Sequence, residues 1–215
     1  MTGARALYAP VMPEKIDIRK IAKSRWTEYL ILLVVAVLVA VGVRTFLVQT
    51  FYIPSQSMEQ TLLVDDKVLV NKISYRFRDP ERGEIIVFRP PVGWGPEPSR
   101  EEYIKRVIGV AGDRVVCCDA DQRITINGKA ITEDYLFPGD QPSEDAFDVT
   151  VPAGRLFMMG DHRSGSADSR AHLEADHGTV PVDRVVGRAF ATYWPASRWR
   201  SLSVPATFDD VPDAS

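Results

Sequence analysis

Residues 123–131 read Arg-Ile-Thr-Ile-Asn-Gly-Lys-Ala-Ile. The Asn127-Gly128 pair supplies the positive φ angles that a tight two-residue hairpin turn requires. This stretch therefore predicts a β-hairpin, which we interpret as part of the scaffold.

Short β-rich segments separated by turns continue on both sides of this hairpin, and no long run with helical periodicity follows Thr50. Such a pattern predicts a mainly β, antiparallel domain. Residues 90–98, rich in proline and glycine around Trp94, are predicted to form a surface loop. The candidate strands are residues 67–71, 84–89, 103–110, 114–117, 156–159 and 184–194.

Length and composition limit the remaining possibilities. A chain of 215 residues allows one domain with a real core. The formal net charge of −3, with its signs interspersed, argues against nucleic acid as a partner, because such a surface needs a clustered basic face. Cys117 and Cys118 are adjacent, and we expect no disulfide framework because a bridge between neighbours demands a strained backbone.

An apolar run precedes the predicted β domain. Residues 29–43 are all apolar or glycine, and the run continues past Arg44 to residue 48, which approaches the roughly 20 residues needed to cross a bilayer. A cleaved secretory signal is the alternative, but the preceding polar region is long and no clean small-x-small site follows. We therefore expect an uncleaved transmembrane anchor. Because lysines and arginines lie upstream of it, the positive-inside rule predicts a cytoplasmic N-terminus and an extracytoplasmic C-terminal domain.

Two serines follow the apolar run, in the segment Ile53-Pro54-Ser55-Gln56-Ser57. Proline fixes its own φ angle, and serines in such a turn are usually only turn formers. Taken alone, this segment does not predict catalysis.

The segment from Tyr103 to Asp113 places one cation on each face of a predicted strand, Lys105 on one and Arg106 on the other. Two surface cations on an edge strand are a common protection against aggregation. A partly buried lysine has another use, because desolvation lowers its pKa from about 10.4 and lets the amine accept a serine proton near neutral pH. Arginine cannot act in this way.

An apolar strand near residues 157–159 runs into a dense polar turn that extends from Gly160 to Arg170. Glycine, aspartate and serine permit tight turns, and the alternating aspartates and arginines can lock the turn by charge-assisted hydrogen bonds. Rigidity alone is enough to explain this composition.

In this order, and behind an apolar anchor, these segments resemble the conserved boxes of the type I signal peptidases over about residues 51–194. The resemblance implies a signal-peptidase-like antiparallel β fold and a serine endopeptidase. It implies Ser57 as the nucleophile and Lys105 as the general base. The Ser55 hydroxyl and the Ser57 backbone amide are then the oxyanion hole, which needs preformed donors.

The same resemblance assigns supporting roles to the polar turn. Ser166 matches the family serine that orients the lysine. Asp161, Asp168 and Arg170 match the residues that brace the site.

The resemblance also implies the substrate and the membrane arrangement. The partners are signal-peptide-bearing precursors, cleaved after Ala-x-Ala-like sequences, and the lipid bilayer; no cofactor and no metal is expected. Ile53 and Ile104 are candidates for the apolar lining of shallow substrate pockets. The expected organisation is a cytoplasmic segment (1–28), a transmembrane anchor (29–48), an extracytoplasmic peptidase domain (49–203) and a disordered acidic tail (204–215).

Two positions depart from the family pattern. Gln60 stands where the serine box usually has proline, and His162 stands where the final box usually has asparagine. Gln60 could loosen the turn after the nucleophile, and His162 could add a titrating group beside the site. The sequence has no second membrane segment, so it resembles the single-anchor members often found in Gram-positive bacteria.

Other readings remain open. A histidine-based triad would use His162, His172 or His177, but no serine lies in a Gly-x-Ser-x-Gly elbow. His172, Glu174 and His177 match no standard zinc spacing. A self-cleaving Ser/Lys peptidase of the repressor type would be cytoplasmic and bind DNA, and a non-catalytic membrane-anchored binding module would not need the serines and the lysine.

Overall fold

The computed structural model describes residues 18–46, 48–94 and 102–214. The chain forms two compact units, Met1–Gly42 and Val43–Ser215. Helix α1, Ile18–Phe46, supplies the described part of the first unit. Within it, Arg25–Gly42 has a mean hydropathy of 1.8, and none of this stretch is buried in the protein. Among the described residues, α1 is the one helix long and apolar enough to cross a membrane.

The predicted anchor, residues 29–48, lies mostly within α1. The helix ends at Phe46 and strand β1 begins at Val48, so the last residue of the predicted anchor belongs to a strand. An apolar helix satisfies its backbone hydrogen bonds internally, which is the condition for entering hydrocarbon. Residues 1–17 of the predicted cytoplasmic segment lie outside the described residues.

The second unit is built from short strands, and every pairing between them is antiparallel. The larger sheet has the order β1-β2-β11-β3-β4-β9-β10, with β12 paired to β11, and the smaller sheet has the order β7-β6-β5-β8. The prediction of a mainly β, antiparallel domain is confirmed. The strands are β1 (Val48–Tyr52), β2 (Lys67–Asn71), β3 (Ile85–Phe88), β4 (Tyr103–Gly109), β5 (Arg114–Cys117), β6 (Thr125–Ile126), β7 (Lys129–Ala130), β8 (Phe147–Thr150), β9 (Arg155–Met159), β10 (Val180–Pro181), β11 (Val185–Trp194) and β12 (Arg200–Ser201).

Each candidate strand from the sequence is present, and so is the hairpin. Asn127 and Gly128 have φ angles of 52° and 79°, and they join β6 to β7. The sequence did not predict β1, β8, β10 or β12. Two of these strands, β10 and β12, have only two residues each, so that pairing with a longer neighbour, rather than a local pattern, establishes them.

Strand β4 lies inside the larger sheet, with β3 on one side and β9 on the other. Residues 104–109 of β4 are all buried. The edge-strand reading of Lys105 and Arg106 is therefore wrong, because both cations leave an interior strand and point into the protein.

The predicted disordered tail is also wrong. Phe208 and Val211 are buried in the hydrophobic cluster that the smaller sheet forms with residues of β4 and β9. Arg82 Nη1 donates to Val211 O at 3.3 Å, and Asn127 Nδ2 donates to Pro212 O at 2.8 Å. The segment is acidic on average, but Phe208 and Val211 both pack into this cluster while its aspartates stay in solvent.

Cys117, at the end of β5, is joined to Cys118 by a disulfide bond. The sequence predicted no disulfide framework, and its argument against a bridge between these neighbours is corrected for this pair. Because the bridge joins neighbours, it closes almost no loop and does not cross-link the two sheets.

Candidate active site

Ser57 lies in the turn that connects β1 to β2. Ile53 donates to Asp66 O at 2.9 Å, and Asp65 donates to Ile53 O at 3.0 Å, so the base of this connection is closed. Met58, directly after Ser57, is fully buried in the core of the larger sheet. The buried methionine holds the serine backbone against the sheet.

Strand β4 brings Lys105 to this turn. Lys105 Nζ lies 2.7 Å from Ser57 Oγ and donates to Ile104 O at 3.1 Å. Both Ser57 and Lys105 are buried, at 6% and 5% exposure. Ser55 Oγ lies 3.3 Å from Ser57 Oγ. In the described chain, Lys105 Nζ and Ser55 Oγ are the hydrogen-bond partners of the Ser57 hydroxyl, and no histidine is among them.

Burial lowers the pKa of Lys105 to about 8, because the charged amine has lost its hydration. Asp168 and Asp161 oppose this shift, and Arg170 adds to it. Within the described residues, Lys105 forms no ion pair, because each of these carboxylates has an arginine of its own. The site therefore contains an amine that can lose its proton near neutral pH.

Arg106 points to the other face of β4 and holds Asp161. Its Nε and Nη2 donate to the Asp161 carboxylate at 2.9 and 2.6 Å, and its Nη1 donates to Gly83 O at 2.8 Å. The guanidinium lies 4.1 Å from the centroid of the Tyr135 ring. Thr61, in the serine turn, donates to the same carboxylate. Asp161 thus connects the end of β9, β4 and the turn that carries Ser57.

Asp168 and Arg170 close the polar turn after β9. Arg170 donates to the Asp168 carboxylate from Nε at 2.9 Å and from Nη2 at 2.8 Å, and Gly160 donates to it through its backbone at 2.9 Å. Burial opposes the charge on Asp168, but these donors lower its pKa overall. The predicted bracing residues are therefore all in contact with the framework of the site, and their functional roles stay predictions.

Ser166 is also close to the site, but its predicted bond to Lys105 is not among the described contacts. The hydroxyl oxygen is buried and makes no well-formed hydrogen bond in the described residues, although it helps to lower the pKa of Asp168. A Cβ on Gly160 would collide with both Ser166 Oγ and Ser57 O. Ser166 and the nucleophile turn thus approach one another across a glycine.

An apolar cleft opens in front of Ser57 and Lys105, with a volume of about 520 Å³. Ile53 and Ile104, the predicted pocket residues, both line it, and Gly165 also contributes to its wall. A buried serine beside a weakly basic amine, in an apolar cleft, is suited to covalent acyl transfer. In the described part of the chain, no group of three or more His, Cys, Asp or Glu side chains could hold a metal.

Sequence reasoning missed several members of this framework. Arg106 was seen only as a second cation, although its place on a buried strand was the signal for a carboxylate partner. Arg163 is buried and donates to Glu133, at 3.0 Å from Nη1, and to Gly160 O at 2.9 Å. Glu133 lies 30 residues away in the chain, so no local pattern indicates this pair.

Comparison with known proteins gives consistent matches. The family model described as signal peptidase, peptidase S26, matches residues 26–194. A probable signal peptidase I-2 of Synechocystis is 39% identical over 176 residues, which are 82% of this chain and 77% of that protein. Signal peptidase I of Mycobacterium tuberculosis is 36% identical in an alignment 226 positions long, which covers 84% of this chain and 76% of that protein. A crystal structure of a signal peptidase I from Enterococcus faecalis is 29% identical and covers 52% of this chain and 97% of that chain, with a TM-score of 0.39.

Proposed function

Because the chain belongs to the peptidase S26 family of signal peptidases, we propose that it removes signal peptides from exported precursors with Ser57 as nucleophile and Lys105 as general base. The enzyme class is that of signal peptidase I, a serine endopeptidase. The observation that carries the assignment of residues is the distance of 2.7 Å between Lys105 Nζ and Ser57 Oγ.

The burial of the amine supports the role of general base. A lysine with a pKa of about 8 has a substantial neutral fraction at mildly alkaline pH, and only the neutral amine accepts a proton. As Ser57 Oγ attacks the scissile carbonyl carbon, its proton passes to Lys105 Nζ. The resulting ammonium then protonates the leaving amine, and the acyl group stays on Ser57 until water, deprotonated by Lys105, releases it.

The tetrahedral intermediate carries a negative oxygen, which needs donors already in place. We assign these donors to the Ser57 backbone N–H and the Ser55 hydroxyl. The distance of 3.3 Å between Ser55 Oγ and Ser57 Oγ supports this assignment of the second donor.

We assign substrate selection to the apolar cleft. An extended substrate presents alternate side chains to one side, and shallow pockets lined by Ile53 and Ile104 favour small residues one and three positions before the cut. This reading supports cleavage after Ala-x-Ala-like sequences. A bulky side chain would clash there rather than only bind weakly.

We assign residues 29–48, most of which lie in α1, to a membrane anchor, with residues 1–28 on the cytoplasmic side and the β domain, from residue 49 onward, outside. The apolar stretch Arg25–Gly42 supports the anchor, and the cations that precede the apolar run support the orientation. Protease added outside intact spheroplasts is expected to digest the β domain. Digestion only after lysis would contradict the orientation.

The test of the function uses the full chain purified in detergent with a signal-bearing precursor. We expect one cut that releases the mature part, identified by sequencing its new N-terminus. Ser57→Ala is expected to abolish this cut while the protein keeps its melting temperature. Cleavage by Ser57→Ala at the wild-type rate would show that another nucleophile acts.

A further inference from the structure

The turn that carries Ser57 has an attachment that this chemistry does not use, the imidazole of His162. Its ring is stacked on Phe137, with ring centroids 4.0 Å apart and an angle of 18° between the planes. A Cβ on Gly165 would lie only 3.0 Å from the ring. The ring therefore packs against Phe137, and Gly165 leaves room for it where a larger residue would not.

The hydrogen bonds of this ring identify where its proton is. His162 Nδ1 lies 3.2 Å from the backbone oxygen of Gln56 and 3.2 Å from Glu59 Oε2. A peptide carbonyl and a carboxylate can only accept hydrogen bonds. Nδ1 must therefore carry a proton in the neutral ring as well as in the charged one.

The carbonyl that His162 contacts belongs to the peptide unit whose nitrogen is that of Ser57. A trans peptide is planar, and its C=O and N–H point in opposite directions. Fixing Gln56 O therefore also fixes the direction of the Ser57 N–H. Glu59 N donates to the same oxygen at 2.9 Å.

The peptide unit on the other side of Ser57 is held by the same residue. His162 N donates to Ser57 O at 3.2 Å. One residue thus contacts the carbonyl groups on both sides of the nucleophile, one through its side chain and one through its backbone.

We propose that His162 is a positioning residue for the oxyanion hole: its Nδ1–H holds the Gln56 carbonyl and thereby aims the Ser57 N–H at the developing negative charge. This inference rests on the proposed function of Ser57. A hydrogen bond to the carbonyl also polarises the peptide unit and makes its N–H a stronger donor. His162 itself does not touch the substrate.

A positioning role of this kind has a kinetic signature. The oxyanion exists only in the transition state and the intermediate, so a misdirected N–H reduces kcat and leaves substrate binding almost unchanged. Complete loss of one oxyanion donor costs about 10²–10³ in kcat in other enzymes. Misdirection of a donor that remains present is expected to cost less, about 10-fold to 100-fold.

Two substitutions of similar size separate positioning from packing. His162→Asn keeps an amide N–H near the place of Nδ1, whereas His162→Leu has no donor. We expect His162→Asn to retain kcat within about 3-fold, and His162→Leu to lose about 10-fold to 100-fold with KM within about 2-fold. His177→Asn is the matched control, because His177 is exposed and its φ of 54° suits asparagine.

A measurement without substrate tests the hydrogen bond itself. In ¹⁵N spectra of the full chain in detergent, at a pH where the rings are neutral, we expect His162 to be protonated at Nδ1. Glu59→Gln should retain this tautomer, because the Gln56 carbonyl remains. This readout is independent of catalysis, so it distinguishes failure of the inference from failure of the proposed function.

Two results would overturn the proposal. One is a neutral His162 protonated at Nε2. The other is a His162→Leu enzyme with the kcat of His162→Asn, which would show that the ring only fills space between Phe137 and Gly165.

Discussion

The guanidinium of Arg106 donates two hydrogen bonds to Asp161, whereas the preceding residue, Lys105, has no ion pair in the described structure. The two adjacent cations thus have opposite environments. Arg106 is a permanent charge that is neutralised by its partner. Lys105 is a buried amine whose pKa is lowered to about 8 by loss of hydration.

Exchange of one cation for the other at position 105 is expected to inactivate the enzyme. Lys105→Arg keeps the charge but cannot accept a proton, so kcat should fall by about 10²–10⁴ in the precursor assay. Because Ser57 and Lys105 act as one unit, Ser57→Ala combined with Lys105→Arg should be hardly worse than either change alone. Lys129→Arg, at an exposed position of β7, is the control. Substantial activity in Lys105→Arg would refute the lysine base.

The pH dependence of kcat/KM should report the free amine of Lys105. Protonated Lys105 is inactive, so the rate should rise about 10-fold per pH unit below the pKa and level off above about 8. Initial rates measured at pH values below and above about 8 test this profile. The melting temperature is checked at each pH. A rate that still climbs toward about 10.4 would mean that the base is exposed or is another group.

Gly160→Ala is expected to reduce activity more than its small size suggests. The new Cβ would collide with Ser57 O and Ser166 Oγ, so the serine turn and the polar turn must separate. Gly154→Asn is the control, because Gly154 has open space and a φ of 70° that asparagine tolerates. Equal cleavage rates in the two variants would contradict the close approach across Gly160.

The ordered C-terminal segment should contribute to stability. Phe208→Ala removes a buried ring from the hydrophobic cluster that the smaller sheet forms with β4 and β9 and should lower the free energy of unfolding by about 3–5 kcal/mol. Phe77→Ala removes a ring that is 87% exposed and should change it by less than about 0.5 kcal/mol. Denaturant unfolding of the full chain in detergent measures both. Equal midpoints would mean that the segment does not pack in solution.

Cleavage specificity should follow the alternation of an extended substrate. Replacing alanine immediately before the cut by tryptophan should abolish cleavage, because the ring cannot enter a pocket lined by Ile53 and Ile104. The same tryptophan one position earlier points to the other side of the strand and should be tolerated. The two precursors are compared at equal concentration. Efficient cleavage of the first would exclude this model of the cleft, even if Ser57 and Lys105 keep their roles.

Local patterns were sufficient for the class of fold. Asn127-Gly128 determines a turn through its φ angles alone, and each predicted strand is a run of β-branched and apolar residues that is recognisable without its partner. Strands β10 and β12, with two residues each, have too few residues for such a pattern. The burial of Phe208 depends on a surface formed by other segments. These features could not be predicted from the residues that form them.

The sequence shows the serine, lysine and aspartate side chains of the candidate site and the order of the segments that carry them. The resemblance to the signal peptidases assigned their roles. Their relationships depend on the tertiary structure. Lys105 lies on an interior strand because β3 and β9 pair with the two edges of β4, and its pKa depends on the burial of its amine beside Ser57. The contact of Arg106 with Asp161 joins residues 55 positions apart, and that of His162 with Gln56 joins residues 106 positions apart. At such separations, the types of two side chains do not tell how far apart they lie in the folded protein.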